Sequence, residues 1–253
     1  MGTVVIRYYQ PGDQLQCQEI VKEGIMSTVN TAFFAGLLRE ITFQSIILVS
    51  ALLFIFVGVP FRICFLTVPA SVIFIVYGGI YFAHVMRAME VSQEIADIPR
   101  VYMSSRDTGF WVAEVHEPLS NTLKQKSEVK YRLATEHDQL NALGGYQRRV
   151  VGTIAVMRCR TTDNAAWIRR LAVSSDYRRK GIGSALVDRA LSFCSERGYK
   201  TAELVTTECH SEAGALYFKK GFETKQIYHR QIIGSLVTVM MYSMTKKTDC
   251  LSA

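Results

Sequence analysis

Residues 171–186 read Leu171-Ala172-Val173-Ser174-Ser175-Asp176-Tyr177-Arg178-Arg179-Lys180-Gly181-Ile182-Gly183-Ser184-Ala185-Leu186. An apolar run ends at Val173, and three basic residues follow. Two glycines then open a stretch in which Ile182, Leu186, Ala190 and Cys194 recur every four residues. The run predicts a strand, and the recurrence predicts an amphipathic helix that Gly198 ends. Small residues at the junction let successive backbone N–H groups point at one spot, and the helix adds the positive end of its dipole. Arg178, Arg179 and Lys180 surround that spot with mobile charge. A diphosphate is the group such a turn suits. It is neither a P-loop, which needs Gly-Lys-Ser/Thr, nor a dinucleotide fingerprint, which needs a third glycine.

Outward from this turn, strands and helices alternate. Strands are expected at Val4–Tyr9, Phe110–Val115, Val150–Met157, Ala166–Val173, Ala202–Thr206, from Phe222 onward, and at Val237–Met244. Asp13 is placed to cap a helix carrying Leu15, Ile20, Val21, Ile25 and Met26, and further helices are expected at Val91–Ile98 and Ser211–Lys219. Pro99 marks a break or a new first turn. The stretch 116–147 is polar and is expected to be a surface loop. This alternation is an α/β (α+β) layer fold with one central sheet flanked by helices.

Two motifs carry a resemblance. Arg178-x-x-Gly181-x-Gly183 after Leu171-Ala172-Val173 is similar to the acetyl-CoA pyrophosphate loop of the GCN5-related N-acetyltransferases. Ala213-x-x-Leu216-Tyr217-x-x-x-Gly221-Phe222 resembles the helix and turn beside the CoA thiol in that family. A narrower resemblance, to the N-acetyltransferase 8 (camello) family, rests on Ile6-Arg7-x-Tyr9-Gln10, an apolar hairpin, Asp97-Ile98 and Phe110-Trp111-Val112-Ala113-Glu114. It implies an enzyme anchored in the endoplasmic reticulum. Known family acceptors are cysteine S-conjugates, aspartate and protein lysines.

By this resemblance acetyl-CoA is the cosubstrate. Arg178, Arg179, Lys180, Gly181, Ile182, Gly183 and Ser184 would hold its pyrophosphate, and Leu171, Ala172 and Val173 would pair with its pantetheine arm. Tyr217 would protonate the departing thiolate. Many family members carry Asn where this chain has His210. The base is left open among Glu203, Glu208, His210 and His229, with Glu208 and His210 carried forward. Period-two alternation puts Trp167, Arg169 and Leu171 on one face and Arg170 on the other. An arginine there would pair with an acceptor carboxylate, and Trp167 would cover an apolar substituent. An α-amine of pKa about 8 is roughly 10% neutral at pH 7, whereas a lysine near 10.4 is under about 0.1% neutral. A small α-amino acceptor therefore demands less of the base. A protein lysine, or a membrane adaptor that binds CoA without turnover, are the competing readings.

The chain has 253 residues, 49% of them hydrophobic, yet a formal net charge of +7. The apolar excess has one address. Ile41–Val85 contains no Asp, Glu or Lys, one arginine (Arg62) and one histidine (His84). That is close to two membrane spans and too long for one. Gly58-Val59-Pro60-Phe61-Arg62 is the natural break, giving helices Thr42–Val57 and Ile63–Ala83 that span a membrane or enter it as a re-entrant hairpin. Lys22, Arg39, Arg87 and Arg100 flank the hairpin and place both ends on the cytosolic side. The expected organisation is residues 1–40 as the first strand and helix of the acetyltransferase domain, 41–85 as the inserted hairpin, 86–246 as the rest of the domain and 247–253 as a tail.

Other classes fall away. The apolar content excludes a disordered chain. Ile6 stands where a myristoylation site needs Ser or Thr, and Ser252 spoils a prenylation box at Cys250. Cys17, Cys64, Cys159, Cys194, Cys209 and Cys250 form no C-x-x-C pair, and no metal site is expected. The densest basic cluster already has a phosphate guest in CoA, so a nucleic-acid partner is not expected, and the remaining basic residues suit anionic lipid. The oligomeric state is not read from the sequence.

Overall fold

A computed structural model describes residues 2–118, 131–134, 146–233 and 237–248. In chain order they form β1 (Gly2–Tyr8), α1 (Gln14–Met26), α2 (Val29–Leu37), α3 (Glu40–Leu52), α4 (Phe61–Ile95), α5 (Ile98–Tyr102), β2 (Gly109–Pro118), β3 (Tyr131–Ala134) and β4 (Tyr146–Arg158). Then come β5 (Ala165–Val173), α6 (Ile182–Glu196), β6 (Thr201–Thr207), α7 (Ser211–Lys219), β7 (Glu223–Ile233) and β8 (Val237–Lys247). The strands make one mixed sheet in the order β3-β1-β2-β4-β5-β6-β8-β7. β1 runs parallel to β3 and β5 parallel to β6, and the other neighbours are antiparallel.

Both faces of the sheet are covered, and strand alternation decides which residue goes where. On β2, Trp111, Ala113 and Val115 pack toward α6 with Leu186, Ala190 and Phe193. Phe110 and Val112 point the other way, into a core with Cys17, Ile20 and Val21 of α1 and Val91 and Ile95 of α4. Between β1 and α1 sits a half-buried ionic network. Arg7 pairs with Asp13 at 2.7 Å and with Glu114, and His116 Nε2 lies 2.9 Å from Glu114 Oε1. Asp13 was expected to cap α1. Its carboxylate instead accepts from Arg7 and from the Gln10 backbone N–H, and gives α1 no side-chain cap. A guanidinium offers it charge that a helix N-terminus does not.

The hairpin forms as the sequence suggests. α3 ends in a π-helical turn, Leu53–Val57, Gly58 takes a left-handed φ of 70°, and Pro60 opens α4. Among the described residues two helices are long and apolar enough to cross a membrane, Glu40–Val57 and Phe61–Ile95, with 6% and 17% of their most apolar windows buried. Core helices of soluble proteins are mostly buried, and these are not. Phe56 is 79% exposed and Phe74 is 79% exposed. Pro69 is carried inside α4 without ending it. The helix expected at Val91–Ile98 is the last part of α4. Its 35 residues measure about 52 Å at 1.5 Å each, well beyond a bilayer core of about 30 Å. Ala88, Val91 and Ile95 accordingly reach the protein core. A short α5 follows, with Asp97 accepting from the Arg100 N–H at its start.

Two further regions differ from expectation. α2 was not foreseen and packs on α4 through Val29, Ala32 and Ile80. The stretch 116–147 supplies the end of β2, all of β3 and the start of β4, so it is not a plain loop, while 119–130 and 135–145 lie outside the described residues. β3 exists by pairing with the edge of β1, a long-range partner that no local pattern announces.

Candidate active site

The site begins where the sheet comes apart. β5 and β6 pair over only three residues, Ala165–Trp167 against Thr201–Glu203. Beyond them the strands diverge, and a cleft of about 910 Å³ opens between Ile168–Val173 on one side and Val205–Thr207 on the other. α1 and α2 close it through Gly24, Ser27, Thr28 and Thr31, and α7 through Ala213, Leu216 and Tyr217. A splayed strand leaves one edge of β5 unpaired with protein, with backbone N–H and C=O groups available to an extended ligand.

A bulge shapes the β5 wall. Arg170 has φ 57°, and the register with β4 slips between Thr153 and Ala155. The buried Thr153 hydroxyl donates to the Arg170 carbonyl at 2.8 Å and fixes the distortion. Left-handed backbone is costly for a side chain with a Cβ, so it persists where surroundings hold it. The bulge overturns the expected alternation. Arg169 and Arg170 both reach Glu94 at the end of α4 rather than opposite faces. Arg170 Nε also donates to the Tyr102 hydroxyl at 3.2 Å, and that hydroxyl donates to Glu94. Arg169 and Arg170 line the cleft. Trp167 does not, because it sits before the splay, inside the three-residue pairing.

The basic turn is built as its residues require. Arg179 has φ 60° and Gly181 φ 82°, and Gly181 is the N-cap of α6 with no side chain capping the N–H groups behind it. Alternating left-handed residues at a helix start are the geometry that gathers N–H donors around an anion. Arg178, Arg179, Gly181, Gly183 and Ser184 line the cleft, as do Leu171, Ala172 and Val173. Arg178 lies along the wall, its Nε donating to the Val173 carbonyl at 3.0 Å. Arg179 reaches Glu212 at 2.6 Å in full solvent. Lys180 turns back to the Asp176 carbonyl at 2.9 Å, and its ammonium stands 5.0 Å from the centre of the Tyr177 ring. The Ile182 side chain is core, so only its backbone faces the turn.

Tyr217 and His210 bring titratable groups to the cleft. Tyr217 is buried against Phe222, ring centroids 5.7 Å apart, and that burial pushes its hydroxyl well above the ordinary tyrosine value. It is a protonated donor at neutral pH. His210 lines the same cleft and shares a 2.8 Å hydrogen bond between Nδ1 and the Thr207 hydroxyl. Desolvation in the cleft, then the charges of Arg178 and His84, hold its pKa below the ordinary histidine value. The other base candidates are spoken for or lie elsewhere. Glu208 accepts from the Met240 N–H at 3.1 Å. Glu203 is buried with Lys225 and Thr162, and His229 stands on exposed β7. Among the described residues no group of three or more His, Cys, Asp or Glu is placed to hold a metal.

A splayed parallel pair, a basic turn at the head of the next helix and a buried tyrosine on the following one meet at one cleft, a setting suited to an acetyl-transferring enzyme. Comparison with known proteins agrees. Residues 101–222 match the family model described as the Acetyltransferase (GNAT) family. It is similar to N-acetyltransferase 8 of Rattus norvegicus, 25% identical over 252 residues, covering 95% of this chain and 96% of that protein. It is similar also to the probable N-acetyltransferase camello of Xenopus tropicalis, 24% identical, covering 94% of this chain and 92% of that one. N-acetylaspartate synthetase of Danio rerio is 28% identical over 87% of this chain and 66% of its own length. The first two likenesses run over nearly the full length of both chains.

Three parts of the site were beyond the sequence: the bulge at Arg170, the α2 wall, and Glu94 with Tyr102. Each depends on contacts between distant segments. Glu94 and Arg170 are separated by 76 positions.

Proposed function

We propose that this chain is a membrane-anchored N-acetyltransferase that moves the acetyl group of acetyl-CoA onto a small α-amino acceptor carrying a carboxylate. The observation that carries the acceptor class is the pair Arg169 and Arg170 on the cleft wall beside the amine's approach. Guanidinium forks are the groups that recognise carboxylates with defined geometry. Cysteine S-conjugates and aspartate are acceptors of this kind, and one relative is named for N-acetylaspartate synthesis.

In this reading the turn Arg178–Ser184 holds the pyrophosphate, and the free edge of Leu171–Val173 pairs with the pantetheine arm. The amine nitrogen attacks the thioester carbonyl carbon in a ternary complex, forming the N–C bond. His210 takes the proton the amine must lose, its lowered pKa keeping it unprotonated at neutral pH. The C–S bond then breaks, and Tyr217 gives its proton to the thiolate. Backbone N–H groups at the bulge are suited to the charge that develops on the carbonyl oxygen.

The hairpin is the anchor. β1 precedes it and β2 follows it, yet the two pair from Thr3–His116 to Tyr8–Trp111. Both ends of α3–α4 therefore lie on one side of the bilayer, and the cytosolic face of the endoplasmic reticulum supplies acetyl-CoA directly. An acetyl-CoA consumption screen over S-substituted cysteines, aspartate and lysine peptides tests the acceptor class. Turnover confined to lysine peptides sinks it, and Tyr217→Phe is the control.

A further inference from the structure

Glu94 stands on the last turn of α4, the helix that runs from the apolar hairpin into the catalytic core. Its two carboxylate oxygens take both arginines of the acceptor wall. Arg169 Nη1 lies 3.3 Å from Oε1, and Arg170 Nη2 pairs with Oε2. Tyr102 closes the group from α5 by donating to Oε1 and accepting from Arg170 Nε at 3.2 Å. The Arg170 side chain is 11% exposed, Glu94 27% and Arg169 30%. Glu94 itself does not line the cleft, while both arginines do.

The charge count is simple. Two guanidinium groups and one carboxylate leave one positive charge on this wall, held half out of solvent. The other charged side chains lining the cleft are Arg178, on the Val173 carbonyl, and the exposed pair Arg179–Glu212. Arg178 and Arg179 belong to the turn beyond Val173, at the far end of the β5 wall, and Glu212 faces them from the first turn of α7. A first acceptor carboxylate meets one uncompensated guanidinium. A second meets none and loses its water without repayment.

We propose that Glu94 is a specificity-determining residue, setting the net charge of the acceptor wall to one and thereby narrowing the acceptor class, selecting acceptors with a single carboxylate, such as S-alkylcysteines, over those with two, aspartate among them. The proposal rests on the reading that Arg169 and Arg170 bind the acceptor. It also makes the anchor helix part of the site, because the residue that tunes the arginines is carried on α4. Glu94 is a positioning and charge-setting residue and touches no reacting atom.

The test uses the full-length protein in detergent micelles and two acceptors that differ by one carboxylate, S-methylcysteine and S-carboxymethylcysteine. Glu94→Gln keeps the side-chain shape and one acceptor oxygen and removes the charge. The expected result is a shift of about tenfold in the ratio of kcat/KM toward S-carboxymethylcysteine, the size of one charge felt across several ångströms at a partly screened site. KM for acetyl-CoA and thermal stabilisation by CoA stay at the native level. Tyr102→Phe loosens the same cluster without changing charge and is expected to leave the ratio alone.

The other outcomes overturn the proposal. An unchanged ratio in Glu94→Gln, with Arg169→Gln or Arg170→Gln raising KM for both acceptors, removes the charge-setting role and leaves the arginine reading standing. An unchanged ratio in all three variants removes both. A uniform loss with both acceptors, or loss of CoA stabilisation, shows that Glu94 serves packing only. An equal shift in Tyr102→Phe shows the same.

Discussion

The Glu23 carboxylate accepts the backbone N–H of Ser175 at 2.8 Å, although 152 positions separate the two residues. Glu23 is on α1, and Ser175 starts the turn that leads from β5 into the basic loop. One hydrogen bond therefore fixes the entry of the basic turn to α1, one of the helices that close the cleft. Burial alone would raise the Glu23 pKa, but hydrogen bonds from Ser175 and Ser174 and the charge of Arg178 bring it below the ordinary carboxylate value. A carboxylate depressed in the folded state stabilises it above the unfolded pKa, and that contribution disappears as pH falls through the folded value. Glu23→Gln is expected to raise KM for acetyl-CoA severalfold at pH 7 and to flatten the acid limb of stability. Thermal melts between pH 3 and pH 6 check the second part. Parallel melts of both proteins would contradict it.

Tyr217→Phe removes the proposed general acid and keeps the packing against Phe222. A fall in kcat of about 10²-fold is expected, the lower end of what a positioned general acid supplies. KM for acetyl-CoA should stay within a factor of two or so, roughly the span expected when binding contacts are untouched. Steady-state kinetics with one acceptor is sufficient, and an unaltered kcat would exclude the tyrosine as the acid.

If His210 is the base, as proposed, it sets the pH dependence of the acceptor step. Its pKa lies below the ordinary histidine value, so the imidazole is unprotonated, and able to accept a proton, down to mildly acidic pH. The acid limb of kcat/KM for an α-amino acceptor should therefore include a group titrating below the usual histidine range, beside the acceptor amine above it. His210→Gln should remove the lower group and leave the upper one. A profile identical to the native one would exclude His210 as the base.

The proposed anchor makes a topological prediction. A glycosylation acceptor inserted at Gly58–Pro60 should be modified in microsomes, and acceptors placed at either end of the chain should not. Modification at one end only would separate β1 from β2 across the bilayer, which their pairing forbids.

Much of this molecule was legible in its sequence because the deciding signals are local. Gly181 beside three basic residues announces an anion-binding turn, and it takes the left-handed φ that favours glycine. The Gly58–Pro60 break divides the apolar run where the helices divide. Tyr217 reached the cleft through its motif. The acceptor side was less legible for a physical reason. Period-two alternation assigns Arg169 and Arg170 to opposite faces, and a single bulged residue, held by Thr153, cancels that rule. Glu94 sits in a stretch that reads as ordinary helix, and only the fold brings it to the arginines. Trp167 does not line the cleft because strand splay begins one residue later, a boundary set by the β5–β6 pairing.

The most direct measurement is CoA release by the full-length protein from acetyl-CoA with S-benzylcysteine and with S-benzylcysteamine, which differ only in the carboxylate. The expected result is N-acetylation of S-benzylcysteine with kcat/KM higher by about tenfold or more, the size of one buried charge-assisted contact. The preference should collapse in Arg170→Gln. Equal turnover of the two acceptors, or transfer to neither, would contradict the assignment of this cleft to a carboxylate-bearing amine.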